Sequence, residues 1–141
     1  MVATHRWKLR LPAVFGHADI TAELLALVSK SGVETGIMTV QLVGSTGAIT
    51  TIEYEPGALS DLRRALDVVA PTDADYSHDA RWGDGNGFSH LRSALLKTSL
   101  SLPVIDGALA LGRWQQVVAL NLDNRERTRE LVAVLVGSAN D

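Results

Sequence analysis

The N-terminal segment alternates between apolar and basic positions with a period of two. Trp7, Leu9 and Leu11 occupy one set of positions, and arginine and lysine occupy the positions between them. This period predicts a strand with one buried and one solvated face, ended by Pro12. Apolar, β-branched runs predict further strands, and Asp106-Gly107 predicts a hairpin, giving about seven strands in all. These runs are 37–43, 48–54, 102–105, 114–122 and 131–136.

Helical periodicity predicts three helices. The first begins after Thr21, taken as the N-cap, and ends at Gly32. The second begins at Pro56 and ends before Pro71, and the third covers residues 87–97 with Asn86 as its N-cap. Residues 72–85, which carry several polar side chains, are predicted to form a loop. Because the last strands follow one another without intervening helices, we expect antiparallel pairing and an α+β fold.

In the third helix, Phe88, Leu91 and Leu95 share one stripe, which predicts the core-facing side. His90 lies about 200° from Phe88 at the helical repeat. His90 lies one helical turn after Asn86, so the two side chains can point toward the same ligand. A solvated histidine and a histidine placed in a site both fit this arrangement.

Composition narrows the classes of function. The chain has 141 residues, the usual size of one domain, and we expect a single domain over residues 1–141. It has no cysteine, which excludes disulfides and thiolate metal sites. The net charge of −3 disfavours nucleic-acid binding, and no apolar run reaches the roughly 20 residues of a membrane span. We therefore expect a cytoplasmic protein that binds neither nucleic acid nor membrane.

Two histidines are the first candidates for chemistry. His78 and His90 could bind a divalent metal, with Asp79, Asp84 or Glu53 as a third ligand. Two histidines at this spacing form a weak metal motif, and solvated polar groups explain them as well.

The turn Gly44-Ser45-Thr46-Gly47 offers hydroxyl and backbone donors to an anion, although a bend between two strands explains the same residues. Glu53 shares a strand face with Ile49 and Thr51, where a carboxylate is either solvated or placed for a reaction.

A series of short motifs resembles the YjbQ-like family, often labelled secondary thiamine-phosphate synthase. The order and spacing of these motifs are more specific than any one of them. They are Asp19-Ile20-Thr21, Gly44 to Ile49, Glu53-Tyr54-Glu55-Pro56, His78-Asp79, Gly83-Asp84-Gly85-Asn86, Ser89-His90-Leu91, Pro103-Val104, Gly107 and Leu111 to Gln115.

The resemblance implies a β-sandwich-like antiparallel core flanked by helices. It also implies a homotrimer with a polar pocket near the subunit interfaces, where three histidines converge on a metal or an anion. His78 and His90 carry over as two of these histidines, and Asn86 and Glu53 carry over beside them. Gly44 stands where the family has the third histidine, and Ile52 and Glu55 replace the family's asparagine and aspartate.

The activity that the resemblance implies is weak thiamin-phosphate synthesis, in which a pyrimidine diphosphate is joined to a thiazole phosphate with release of pyrophosphate. The catalytic assignments are His78, His90, Glu53 and Asn86. Ser45, Thr46 and Asp84 are assigned to the substrate or its anion, and Arg81 and Arg113 are outer charges. Since one histidine is missing, we expect no firmly held cofactor and a divalent metal bound weakly at His78 and His90 or not at all.

Three functions remain open at this point. The first is a small trimeric enzyme acting on a phosphorylated or anionic metabolite. The second is a non-catalytic trimer that binds such a metabolite, and the third is a structural interaction domain.

Overall fold

The computed structural model describes residues 1–140. Within them lie eight strands and four helices, one more of each than the sequence predicts. The additional helix, Ser77–Trp82, lies in the segment predicted to be a loop. The strands are β1 Val2–Leu11, β2 Gly16–Asp19, β3 Thr35–Val43, β4 Gly47–Ile52, β5 Ser99–Ile105, β6 Ala108–Leu109, β7 Gln116–Asn121 and β8 Arg127–Ser138. The helices are α1 Thr21–Ser31, α2 Pro56–Val69, α3 Ser77–Trp82 and α4 Gly87–Leu96.

The strands form two sheets in which every pairing is antiparallel. The larger sheet has the order β1-β8-β3-β5-β6, and the smaller has the order β2-β7-β4. Helices are segregated from this antiparallel framework, so the predicted α+β class with a sandwich-like core is confirmed.

Two apolar clusters hold the layers together. The first joins the inner face of the larger sheet to α1 and to one face of the smaller sheet, through residues such as Met38, Leu131 and Ile49. The second packs the other face of the smaller sheet against α2, through residues such as Leu120 and Leu66. The smaller sheet is therefore covered on both faces, which fits its nearly continuous run of buried residues in β7.

The predicted hairpin at Asp106-Gly107 is confirmed. Both residues have positive φ, 51° and 72°, and they join β5 to β6. A type I′ turn requires positive φ at both central positions, which aspartate and glycine tolerate.

Of the two predicted helix caps, Thr21 is wrong, and Asn86 occupies the N-cap position without making the cap bond. Thr21 is the first residue of α1 rather than its N-cap; its backbone N–H donates to Asp19 Oδ1 at 2.9 Å, and its hydroxyl accepts from Val117 N. Asn86 does precede α4, but its side chain makes no cap bond. Asp79, from α3, accepts from the backbone N–H of Gly87 at 2.8 Å and supplies that bond instead.

The predicted core face of α4 is also only partly right. Phe88 is buried, but Leu91 and Leu95 are exposed. The buried side consists of Phe88 with Ser89, Arg92 and Ser93. Ser93 donates to the carbonyl of Gly47 at 2.6 Å, which fastens α4 to the smaller sheet by a polar contact rather than by leucines.

Within residues 1–140, none of the helices combines the length and the apolar character needed to span a bilayer.

Candidate functional site

A polar pocket lies where α3 and α4 meet the turn before β4 and the start of β8. We call it the two-histidine pocket. Its lining consists of Ser45, Thr46, His78, Trp82, Asp84, Asn86, His90, Arg127 and Arg129. Its volume is about 520 Å³, enough for a small metabolite. The structure thus brings together six of the seven residues assigned to catalysis or substrate from the sequence.

Arg129 has an unusual environment in this pocket. The residue is only 6% exposed. Its Nη2 donates to Thr46 Oγ1 at 2.7 Å and to Asn121 Oδ1 at 2.6 Å. Both acceptors are neutral, and its Nε is buried without a hydrogen-bond partner. Burial lowers the pKa of this guanidinium, and the negative charge of Asp123 nearby acts in the opposite direction. Arginine nevertheless stays charged at neutral pH.

Asp123 is the buried carboxylate behind the pocket wall. It accepts from Arg127 Nε at 2.8 Å, from the backbone N–H of Asn124 at 2.7 Å and from the Thr46 hydroxyl at 3.0 Å. Burial alone would raise the pKa of Asp123, but these hydrogen bonds outweigh it and hold the pKa below its ordinary value. Asp123 is therefore ionised and offsets the charge of Arg127, whereas Arg129 has no carboxylate directly bonded to it.

The two histidines of the pocket are in contact. The ring centroids of His78 and His90 lie 4.4 Å apart with an interplanar angle of 38°. His78 Nδ1 is 3.4 Å from Asp84 Oδ1, too long for a good hydrogen bond but short enough for an attraction if the ring is protonated.

The Asn86 amide lies between two carboxylates. With its nitrogen turned toward Asp84 it donates to both Asp84 oxygens, at 3.1 and 3.2 Å. In the reverse orientation it donates to Asp123 at 3.4 Å, so the shorter distances favour the first orientation. Asn86 and His90 thus share one pocket wall, as their spacing predicts.

The donor set fits a metal ion poorly. His78, Asp79 and Asp84 have ligand atoms within 4.8 Å of one another. Asp79, however, already accepts from Gly87 N, and two guanidinium groups line the same pocket. Gly44 offers no side chain, and a Cβ placed there would lie 3.0 Å from Arg129 Nη1. The position at which the resemblance implies a third imidazole therefore lies beside the guanidinium of Arg129.

The remaining assigned residue lies elsewhere. Glu53 is exposed beyond the end of β4 and does not line the two-histidine pocket of its own chain. Arg81 and Arg113 are exposed as well, and each lies over a neighbouring tryptophan ring, Trp82 and Trp114, at 5.0 and 4.9 Å. Neither arginine lines the pocket.

The sequence reasoning missed Arg127, Arg129 and Asp123. A signal was present, because Arg129 falls in the same alternating set as Leu131, Ala133 and Leu135, which all face the core. An arginine on the buried face of a strand is costly unless it is compensated, so this register marks a functional or networked residue.

Comparisons with known proteins agree with the resemblance. Residues 5–138 match the family described as UPF0047 protein YjbQ-like. A UPF0047 protein from Methanothermobacter thermautotrophicus is 40% identical over 116 residues, which cover 82% of this chain and 80% of that protein. The UPF0047 protein YjbQ of Salmonella typhimurium is 33% identical over 106 residues, covering 74% and 76% of the two chains.

Solved structures are similar over almost the whole chain. A YbjQ-like protein of unknown function from Sulfolobus solfataricus superposes with a TM-score of 0.86 at 25% identity, covering 98% of this chain and 100% of the other. An uncharacterised conserved protein of the yjbq/upf0047 family from Clostridium acetobutylicum gives a TM-score of 0.85 at 27% identity, covering 94% and 99%. The sequence matches and the shared fold place this chain in the UPF0047, YjbQ-like family.

Proposed function

We propose that this chain binds a phosphorylated small molecule in the two-histidine pocket, as a homotrimer in the cytoplasm. The observation that carries the proposal is Arg129. A buried charge is stable in proteins when it is paired, and this guanidinium is bonded only to neutral oxygens. A phosphate group entering the pocket would supply the missing negative charge.

The other residues of the pocket suit the same ligand. Ser45 offers an exposed hydroxyl, and His78 and His90 add donors when protonated. Both hydrogens of Arg129 Nη2 are bonded to Thr46 and Asn121, so a phosphate oxygen would accept from Nη1 and would be attracted by the charge of the guanidinium.

Phosphate and pyrophosphate binding tests the proposal. Isothermal titration calorimetry should show saturable binding of both ions to the wild-type chain. Arg129→Met should lower the affinity at least tenfold while leaving the unfolding midpoint nearly unchanged, because it removes a buried charge and retains most of the side-chain volume.

Arg6→Met is the matched control. Arg6 is an exposed arginine that pairs with Glu130 and does not line the pocket. The Arg6→Met variant should bind both ions as the wild type does. Equal affinities in Arg129→Met and the wild type would contradict the proposal.

A second candidate is catalysis of the thiamin-phosphate synthase type. In this reaction the bond from the pyrimidine's methylene carbon to the diphosphate oxygen breaks, a bond to the thiazole nitrogen forms, and pyrophosphate leaves. The contact between His78 and His90 favours this candidate, because an imidazolium beside the leaving group can stabilise its charge. In the proposed trimer, Glu53 would reach the site from a neighbouring copy.

The His78→Gln/His90→Gln double variant separates the two candidates. If the chain is a transferase, product formation from the two phosphorylated substrates should fall strongly in the double variant and persist in His5→Gln, an exposed histidine outside the pocket. If the wild type binds pyrophosphate but forms no product, the chain is a non-catalytic binding protein. Full activity in the double variant would place the reaction elsewhere.

A further inference from the structure

A second cleft lies between β2, the segment after β4, and the first turns of α2. We call it the aromatic cleft. Its volume is about 400 Å³, and its lining includes Phe15, His17, Tyr54, Leu59, Ser60 and Arg63. No residue is shared with the two-histidine pocket. A pocket of this size with an apolar floor and a few polar groups is typical of a small-molecule site.

Three rings form one wall of the cleft. Phe15 and His17 meet edge to face with centroids 6.2 Å apart, and His17 and Tyr54 do so at 5.4 Å. A 2.8 Å hydrogen bond joins His17 Nδ1 to the Tyr54 hydroxyl. This bond fixes the orientation of two of the rings, so the wall is formed before any ligand arrives.

The backbone that presents Phe15 is strained. Val14 and Phe15 have positive φ values of 38° and 74°, which β-branched and aromatic residues rarely adopt. Their N–H groups donate to the carbonyls of Asp123 and Asn121, at 2.9 and 3.0 Å. Such strain is concentrated at functional sites. Here its result is a buried phenyl ring at the base of the cleft.

The charged group of the cleft is Arg63. It is exposed and takes part in none of the hydrogen bonds or ion pairs within residues 1–140, whereas the adjacent Arg64 pairs with Asp61. Ser60 lies one turn before Arg63, so its hydroxyl is on the same side of α2. The first amides of α2 are already bonded to the Glu55 carboxylate, at Gly57 and Ala58. An anion in this cleft therefore has to be held by Arg63 and Ser60 rather than by the end of the helix.

We propose that the aromatic cleft is a second ligand site, which binds a planar aromatic carboxylate. The ring of the ligand stacks against the wall of Phe15, His17 and Tyr54, where aromatic pairs gain energy beyond the burial of their area. Its carboxylate pairs with the guanidinium of Arg63, which matches a carboxylate through two parallel hydrogen bonds. This site does not depend on the phosphate ligand proposed for the two-histidine pocket.

Benzoate is the probe for this site, and acetate is its counterpart without a ring. Titration of the ¹⁵N-labelled chain with benzoate, followed by NMR, should move the amide resonances of residues 15, 17, 54, 59, 60 and 63 in a saturable manner. Acetate should not saturate those shifts, because it lacks the ring.

Variants test the carboxylate contact and the ring contact separately. Arg63→Gln should weaken benzoate binding at least tenfold, and Tyr54→Leu should weaken it to a similar degree by removing a ring. Arg64→Gln, the neighbouring arginine outside the cleft, and Arg129→Met should both bind benzoate as the wild type does. Unfolding midpoints of all four variants show that each is folded when it is titrated.

Several results would overturn the proposal. Benzoate shifts that do not saturate, that are equal for acetate, or that survive Arg63→Gln unchanged would each do so. Shifts centred on Arg129 would show that the carboxylate prefers the two-histidine pocket, which contradicts a second site and leaves the phosphate proposal standing.

Discussion

Among single residues, Asp123 couples burial to charge. It is fully buried and is held ionised by hydrogen bonds from Arg127, Asn124 and Thr46. Beside it, Asn121 accepts from Arg129, and its Nδ2 donates to the carbonyls of Leu11, Pro12 and Arg125 at 3.3, 2.9 and 3.0 Å. These two residues connect the wall of the pocket to the turn after β1.

The lowered pKa of Asp123 predicts a loss of stability in acid. Because the folded pKa lies below the ordinary value of 3.8, the ionised carboxylate stabilises the fold fully above that value. This stabilisation is lost as the pH falls through the folded pKa. Asp123→Asn should cost about 2 kcal/mol at pH 7 by weakening a buried charged hydrogen bond, and should flatten the acid limb of the stability curve.

Urea unfolding from pH 7 down to about pH 2 measures this effect, because the stabilisation is lost below the ordinary value. The pKa values of Glu55 and Glu126 are also lowered, by hydrogen bonds from Gly57 and from Arg10, so the slope should be reduced rather than abolished. Asp75→Asn, which changes an exposed loop acid, should keep the wild-type slope. An unaltered slope in Asp123→Asn would rule out the buried carboxylate as its source.

Metal content is a second prediction at the residue scale. Catalytic zinc sites use three protein ligands with an open fourth position. Here Gly44 supplies none, Asp79 is bonded to a helix end, and two arginines line the pocket. We expect far less than one equivalent of zinc per chain by elemental analysis of protein purified without a metal-affinity tag. Near one equivalent, lost in His78→Gln, would show that a carboxylate or another subunit supplies the missing ligand.

At the scale of elements, the long strands and helices could be predicted from the sequence and the shortest ones could not. Alternation in β1 and the apolar runs of β3 and β7 identify them, because a sheet with one covered face repeats every two residues. The sequence did not predict β2, which has four residues, or α3, which has six. Neither element is long enough to show a hydrophobic periodicity.

The orientation of α4 could not be predicted from its leucines. Arg92 is fully buried on this helix; its Nε donates to the carbonyl of Ala70 and its Nη2 pairs with Asp67, both at 2.9 Å. These contacts, and that of Ser93 with Gly47, turn the polar side of α4 inward and leave Leu91 and Leu95 exposed. Amphipathic periodicity assumes an apolar inner face, and here hydrogen bonds between elements decide the packing. The same polar packing brings His90 to the pocket.

A helix cap supplied from α3 gives a prediction at this scale. Asp79 accepts from the first amide of α4, which would otherwise lack an intrahelical partner. Asp79→Ala should cost about 1 kcal/mol, the usual value of a lost cap. Asp79→Asn, which retains an oxygen acceptor, should lose less, and Asp75→Ala should lose nothing measurable. Thermal unfolding followed by circular dichroism checks the order, and an Asp79→Ala midpoint equal to the wild type would exclude the cap.

For the whole molecule, the larger sheet has one face covered by the core and one face open. β3 and β8 pair so that Ile37 lies opposite Val136, and β3 and β5 pair so that Ile37 lies opposite Pro103. Directly paired residues share a face, so these side chains form one exposed apolar surface with Ile105, which follows Pro103 two residues later on β5. Exposed apolar surfaces of this kind mark sites of association between proteins.

The open sheet face and the exposed leucines of α4 motivate the prediction of a homotrimer. Multi-angle light scattering should give about three times the chain mass of 15.1 kDa at micromolar concentration. Ile37→Lys, on the central strand of the larger sheet, should dissociate the assembly if the open face forms the interface. Leu95→Lys should do so if α4 forms it. Each substitution is at an exposed position, so the monomer should keep its fold and its unfolding should remain cooperative. Val68→Lys, at a still more exposed position on α2, is the control and should remain trimeric.

A monomeric mass for the wild type would remove the trimer from the proposal, and with it the route by which Glu53 of another copy would reach the two-histidine pocket. Phosphate binding through Arg129 of the same chain would then stand alone as the function to be tested.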